Sequence, residues 1–212
     1  MQIVLLLSLS LLPTAFWFWL FVRRDLHPEP PRLLARTFGY GMIAWVLAAV
    51  LELSVLGLPG PTFVLVVSAA IEEVAKLLAA STAARERDFD EPMDGLVYAV
   101  TAALGFSLVE NLSYGLKFGV EVAAWHGLIT TLAHALFSAP LGYALALRRF
   151  SGGRAWLPLG LLASVALHVA FNGLLMGRGG WPQLVVLALV LGGMYALAHQ
   201  LYERLGAGQK LK

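Results

Sequence analysis

The sequence contains no cysteine. That excludes disulfide bonds, thiolate metal sites and a cysteine nucleophile. Charge is also scarce: 13% of the 212 residues are charged and 59% are hydrophobic, against about 25% charged in an ordinary soluble domain. Such a composition belongs to an integral membrane protein. The net charge of +2 is small, and the basic residues sit in short clusters between apolar runs. That pattern follows membrane topology and gives no basis for nucleic-acid binding. There is no internal repeat of about 20–50 residues and no low-complexity tract. No hydrophilic stretch is long enough to form a separate soluble domain, so residues 1–212 are expected to form one membrane domain. The first apolar run lacks a basic segment before it; Arg23 and Arg24 follow it instead. The expectation is a retained anchor, not a cleaved signal.

What is present is a series of apolar segments near the length a bilayer requires. Seven are expected, at about 2–22, 37–57, 61–84, 94–117, 121–147, 157–176 and 181–203. Pro61, Pro92, Pro158 and Pro182 lie near segment starts, where a missing N–H does least harm. The fold expected is therefore all-α and polytopic, with about seven transmembrane helices. Orientation follows from the Lys/Arg balance of the loops. With the N-terminus outside, twelve basic residues are cytoplasmic: Arg23, Arg24, Arg32, Arg36, Arg85, Arg87, Arg148, Arg149, Arg154, Arg204, Lys210 and Lys212. Lys117 and Arg178 are outside, and Lys76, within a span, completes the fifteen. The C-terminus is then cytoplasmic.

Several polar groups interrupt these runs. Glu72, Glu73 and Lys76 sit midway along the third segment, where each ionisable group is expensive and functional by default. Lys76 is i,i+4 from Glu72 and i,i+3 from Glu73, so it reaches either carboxylate. Glu110 and Asn111 lie in the outer part of the fourth segment, about 10 Å from its end at 1.5 Å per residue. His134 is near the middle of the fifth segment. His168 is near the middle of the sixth, with Asn172 one turn further out. Lipid cannot solvate such groups, so they are expected to face one another across a polar cavity. Two imidazoles and a carboxylate suit a divalent metal, with Zn²⁺ the best match. A further glutamate can then act as general base, and an asparagine amide can hold a developing oxyanion. This inventory fits amide hydrolysis. HExxH is absent, so no local spacing defines a metal site.

Other groups carry less. Glu52, near the outer end of the second segment, reads as a headgroup contact, and Asp94 reads as an acidic helix cap. His126 reads as an interfacial or lining residue. The alternative function is a proton-coupled transporter using the same Glu/His cluster as a relay. Transporters show paired halves, and no second copy of the double glutamate exists.

Taken in order, Glu72-Glu73-Val74-Ala75-Lys76, Met93-Asp94-Gly95, Gly105-Phe106 with Glu110-Asn111, His134, and His168 with Asn172 resemble the PrsW family of intramembrane metalloproteases. More distantly they resemble the CAAX prenyl endopeptidases, which have a histidine where this chain has Glu110. The resemblance covers about residues 65–175. It implies a bacterial cytoplasmic-membrane endopeptidase with a catalytic core at about 61–176. The substrate class it implies is a single-span membrane protein such as an anti-sigma factor, cut near the outer half of the bilayer. It also implies Glu72 and Glu73 as base and partner, His134, His168 and Glu110 as holders of metal or water, and Asn111 and Asn172 as supporting amides. On this reading Glu72→Ala, Glu73→Ala and His134→Ala each abolish cleavage in a folded protein. Which glutamate is the base stays open, because Lys76 can pair with either.

Overall fold

The computed structural model describes residues 2–23, 25, 27–177 and 180–209. Four basic residues used in the orientation reading, Arg24, Arg178, Lys210 and Lys212, lie outside the described residues. Eight α-helices and no strand occur among them: α1 (Gln2–Val22), α2 (Pro31–Glu52), α3 (Pro61–Ser81), α4 (Met93–Phe118), α5 (Val120–Phe137), α6 (Ala139–Ser151), α7 (Trp156–Leu175) and α8 (Trp181–Gln209). By length and composition, six spans can cross a membrane: α1, α2, α4, α5 with α6, α7 and α8. The chain is an all-α, multi-pass membrane protein. The remaining helix, α3, equals α1 in length at 21 residues but carries Glu72, Glu73 and Lys76. It is long enough to span, but its three charges leave it outside the six that are also apolar enough.

Burial is inverted relative to a water-soluble fold. Leu12, Leu184 and Leu189 are largely exposed, whereas Glu73 and Lys76 are fully buried. Apolar surface outside and charge inside is the arrangement lipid requires.

Two boundaries shifted for local reasons. The second helix starts at Pro31, earlier than the expected 37, because proline at the first helical position sacrifices no hydrogen bond. It ends at Glu52, and Gly60, at φ +91°, redirects the chain into Pro61. The expected segment 121–147 is divided at Ser138 into α5 and α6. Pro140 has no N–H to offer the carbonyl four residues back, so the ladder breaks there. His134 consequently lies in the last turn of α5.

The centre of the bundle is α4, buried without interruption from Met93 to Ser107. Small residues let neighbouring backbones approach it closely. A Cβ at Gly41 of α2 would stand 2.1 Å from the Ala102 carbonyl oxygen, and one at Gly105 would stand 2.1 Å from that of Phe38. Both obstacles are backbone, so α2 and α4 must separate to admit a methyl group. Gly41→Ala and Gly105→Ala are each expected to destabilise the bundle by about 1–3 kcal/mol. Thermal unfolding in detergent micelles checks this; an unchanged midpoint would contradict the close crossing.

Candidate active site

The middle of α3 places its two glutamates in different surroundings, since consecutive helical residues point about 100° apart. Glu73 is fully buried. Its Oε1 accepts from Lys76 Nζ at 2.8 Å and from His168 Nδ1 at 2.9 Å, while Ser138 Oγ lies 3.5 Å from its Oε2. Glu72 instead lines a cavity of about 350 Å³ between α2, α3, α4 and α7. Its Oε2 is buried without a hydrogen-bond partner. Lys76 Nζ is 3.5 Å from that oxygen and His168 Nε2 is 3.9 Å from it.

Lys76 makes a second short contact, 2.8 Å to His134 Nδ1. An ammonium has only donors, so Nδ1 must accept and the His134 hydrogen resides on Nε2. That N–H donates to Glu110 Oε2 at 2.5 Å. The same reasoning applied to His168, which donates from Nδ1 to Glu73, leaves a lone pair on Nε2 on the Glu72 side. The Lys76 ammonium also sits over the rings of Phe106 and Phe137, at 4.4 and 5.0 Å from their centroids, where the ring faces favour a cation. Phe137 stacks on His168 at 4.3 Å, fixing the imidazole plane.

Atoms of Glu72, Glu110 and His134 lie within 4.8 Å of one another, a spacing that could hold a metal ion. The expected site residues thus fall into three groups. Glu72, Glu110, His134 and His168 converge, with Glu73 held behind them by Lys76 and His168. Asn172 lines the same cavity, as do Phe106 and Tyr114. Asn111 is held elsewhere, in a polar clamp between α4 and α5. Its Nδ2 donates to Thr131 Oγ1 at 2.8 Å and to Ser107 Oγ at 3.2 Å. Its Oδ1 faces Thr130 Oγ1 and His126 Nδ1, each at 2.8 Å. With donors and acceptor engaged, Asn111 joins helices and has no capacity left for a substrate carbonyl. His126 belongs to the same clamp and stacks on Tyr114 at 4.1 Å.

One cavity residue went unrecognised in the sequence. The sequence places Glu52 at the headgroups; in the structure it lines the cavity with Glu72 and Glu110, and its Oε1 is buried without a hydrogen-bond partner. A signal for this existed. Trp45, Ala48, Ala49 and Glu52 recur at i, i+3, i+4 and i+7, one face of α2, and all four line the cavity.

The chain has relatives among known proteins. A family model described as PrsW family intramembrane metalloprotease matches residues 29–198. The chain is similar to a protein named Protease PrsW from Geobacillus kaustophilus, 30% identical over 174 residues, covering 77% of this chain and 76% of that protein. It is similar to the Bacillus subtilis protein of the same name, 36% identical over 96 residues, or 44% of each. A Clostridioides difficile Protease PrsW is 30% identical over 135 residues, 59% of this chain and 57% of that one. The matched segment therefore spans about half the length of two of these relatives and three quarters of the third. No solved structure gives a significant match.

Proposed function

Because the chain belongs to the PrsW family of intramembrane metalloproteases, we propose that it is an intramembrane endopeptidase whose general base is Glu72. The observation that carries this reading is a Glu72 oxygen with no hydrogen bond, buried beside the cavity and flanked by Glu110, His134 and His168, with Lys76 3.5 Å away. A base must meet its water without a competing donor already bound to it. Glu72 comes nearer to that condition, its one close donor being Lys76 at 3.5 Å, whereas Glu73 accepts from Lys76 at 2.8 Å and His168 at 2.9 Å.

In this mechanism Glu72 Oε2 accepts a proton from water in the cavity and returns it to the departing amide nitrogen. Glu73 acts through His168, holding its Nδ1–H so that Nε2 stays directed to the Glu72 side. Asn172, one turn beyond His168, offers its amide hydrogens to the scissile carbonyl oxygen as charge develops. Asn111 supports the site by fixing α5 against α4. Glu110 and His134, with His168 on the other side of Glu72, are the groups that would hold a divalent ion, and Glu72, whose oxygen lies within 4.8 Å of the first two, is left to take the proton. They would fit Zn²⁺ on one condition: Nε2 of His134 can coordinate only if the ring hydrogen sits on Nδ1, so Lys76 would have to give that nitrogen its proton as the Nε2 proton is released. A bound Zn²⁺ supplies Lewis acidity and makes water a better acid.

The substrate class is a single-span membrane protein, with an anti-sigma factor the example implied by the family resemblance. The setting is a bacterial cytoplasmic membrane, with the N-terminus outside and the cut in the outer half of the bilayer. The catalytic core runs through residues 61–176, closed on one side by the Glu52 face of α2.

The test uses the full chain in nanodiscs with a panel of single-span reporter peptides. Cleavage is expected, with loss on treatment with a zinc chelator and recovery on adding Zn²⁺. Cleavage unaffected by chelator would remove the metal and leave a glutamate-only mechanism. Proton-driven uptake by proteoliposomes with no cleavage would replace the protease by a transporter.

A further inference from the structure

A second polar cluster lies at the opposite end of α4. Asp94 and Glu110 are sixteen residues apart, about 24 Å along the helix at 1.5 Å per residue. Here the connection between α1 and α2 meets the connection between α3 and α4. Carboxylate oxygens of Asp25, Glu91 and Asp94 lie within 4.8 Å of one another. Glu29 adjoins them, within hydrogen-bonding reach of Asp94 and bonded to the Tyr98 hydroxyl.

The two aspartates share an unusual arrangement. Asp25 Oδ1 accepts the His27 backbone N–H at 3.0 Å, and Asp94 Oδ2 accepts the Glu91 backbone N–H at 2.9 Å. Each bond holds its own loop. The other oxygens, Asp25 Oδ2 and Asp94 Oδ1, are buried with no hydrogen-bond partner, on side chains that are 6% and 0% exposed. Two buried carboxylate oxygens without donors, beside two further carboxylates, constitute an energetic deficit. Among the described residues, no lysine or arginine forms an ion pair with Asp25, Glu29 or Asp94. The histidine at the edge, His27, reaches Glu91 Oε2 at 2.7 Å but is itself largely exposed.

We propose that Asp25, Glu29, Glu91 and Asp94 bind a hard divalent cation, Mg²⁺ or Ca²⁺, that ties the α1–α2 connection to the start of α4. The donors are all oxygen, which suits these ions and not zinc. Pro28, Pro30 and Pro31 stiffen the loop that carries Asp25 and Glu29, so little order has to be imposed when the ion enters. Burial, with the Glu91 carboxylate beside it, pushes the Asp25 carboxyl up to about 6. Burial raises Glu29 as well.

The full chain, stripped with EDTA and held in nanodiscs, is titrated with Mn²⁺ as an EPR-visible probe, alongside Asp25→Asn and Asp94→Asn. Each protein is also prepared with Glu110→Gln, which weakens the distant Glu72 cluster. One fewer Mn²⁺ per chain is expected for each aspartate variant in both backgrounds, with a dissociation constant below about 1 mM. Mg²⁺ and Ca²⁺, compared in turn, are expected to raise the unfolding midpoint of the starting protein but not of Asp25→Asn, which lies in a loop and leaves α4 intact. Unchanged stoichiometry in both aspartate variants would overturn the proposal. So would a cluster whose stability rises as pH falls and ignores every cation, because shared protons would then hold it together.

Discussion

Glu72→Gln will reduce cleavage of a single-span reporter by about 10²–10⁴-fold, the range over which a positioned general base acts, while the protein remains inserted and folded. The reason is local. Glutamine keeps the size of the side chain but cannot take a proton, and Glu72 Oε2 has no hydrogen bond to lose. Its longer contacts, 3.5 Å to Lys76 and 3.9 Å to His168, carry little of the packing. Read from sequence, Glu72→Ala and Glu73→Ala have the same outcome. The geometry separates them: a change at Glu73 removes the carboxylate that bonds Lys76 and His168, so stability should fall together with activity. Rates and unfolding midpoints measured side by side distinguish the two. A Glu72→Gln protein that cleaves at the parental rate would end the assignment of Glu72 as base.

Lys76→Met is expected to be the most destabilising single change in the core, by about 3–5 kcal/mol, the penalty for removing one partner of a buried ion pair. Lys76 is fully buried beneath Phe106 and Phe137 and donates to both Glu73 and His134. Without it, Glu73 is left a carboxylate out of water with only His168 and Ser138 nearby, and His134 Nδ1 loses its donor. Pairing Lys76→Met with Glu73→Gln should recover much of the loss, because removing both charges avoids the unpaired one. Activity should not return with stability, since His168 then lacks the carboxylate that orients it. Chemical unfolding in micelles checks the stability cycle. Equal midpoints for the Lys76→Met protein and its parent would mean that the pair carries no structural weight.

Much of the fold could be read directly, because lipid makes its demands residue by residue. Apolar runs near the bilayer length and prolines at their starts located the helices to within a few residues, apart from the α2 ends, the end of α8 at Gln209 and the break at Ser138. Pro140, which makes that break, was visible as a residue, yet a proline inside an apolar run marks a kink as readily as an end. The converging groups could also be named in advance: Glu72, Glu73, Glu110, His134 and His168 were conspicuous because each is expensive at membrane depth.

Roles within that set were a different matter. Glu72 and Glu73 are chemically identical neighbours on one helix, and only the positions of α5 and α7 determine which meets Lys76 and His168 and which meets the cavity. Glu110 and Asn111 pose the same problem: one turns to His134, the other to Thr130, Thr131 and Ser107. Glu52 reads as an interfacial residue in the sequence, and only the packing of α2 with its Trp45 face on the cavity makes it part of the site. The sequence alone determined that this is an all-α membrane protein with costly polar groups on four helices. The tertiary structure decided which groups are partnered and which remain open to water, since a helical side chain's direction acquires meaning only from the neighbours packed against it.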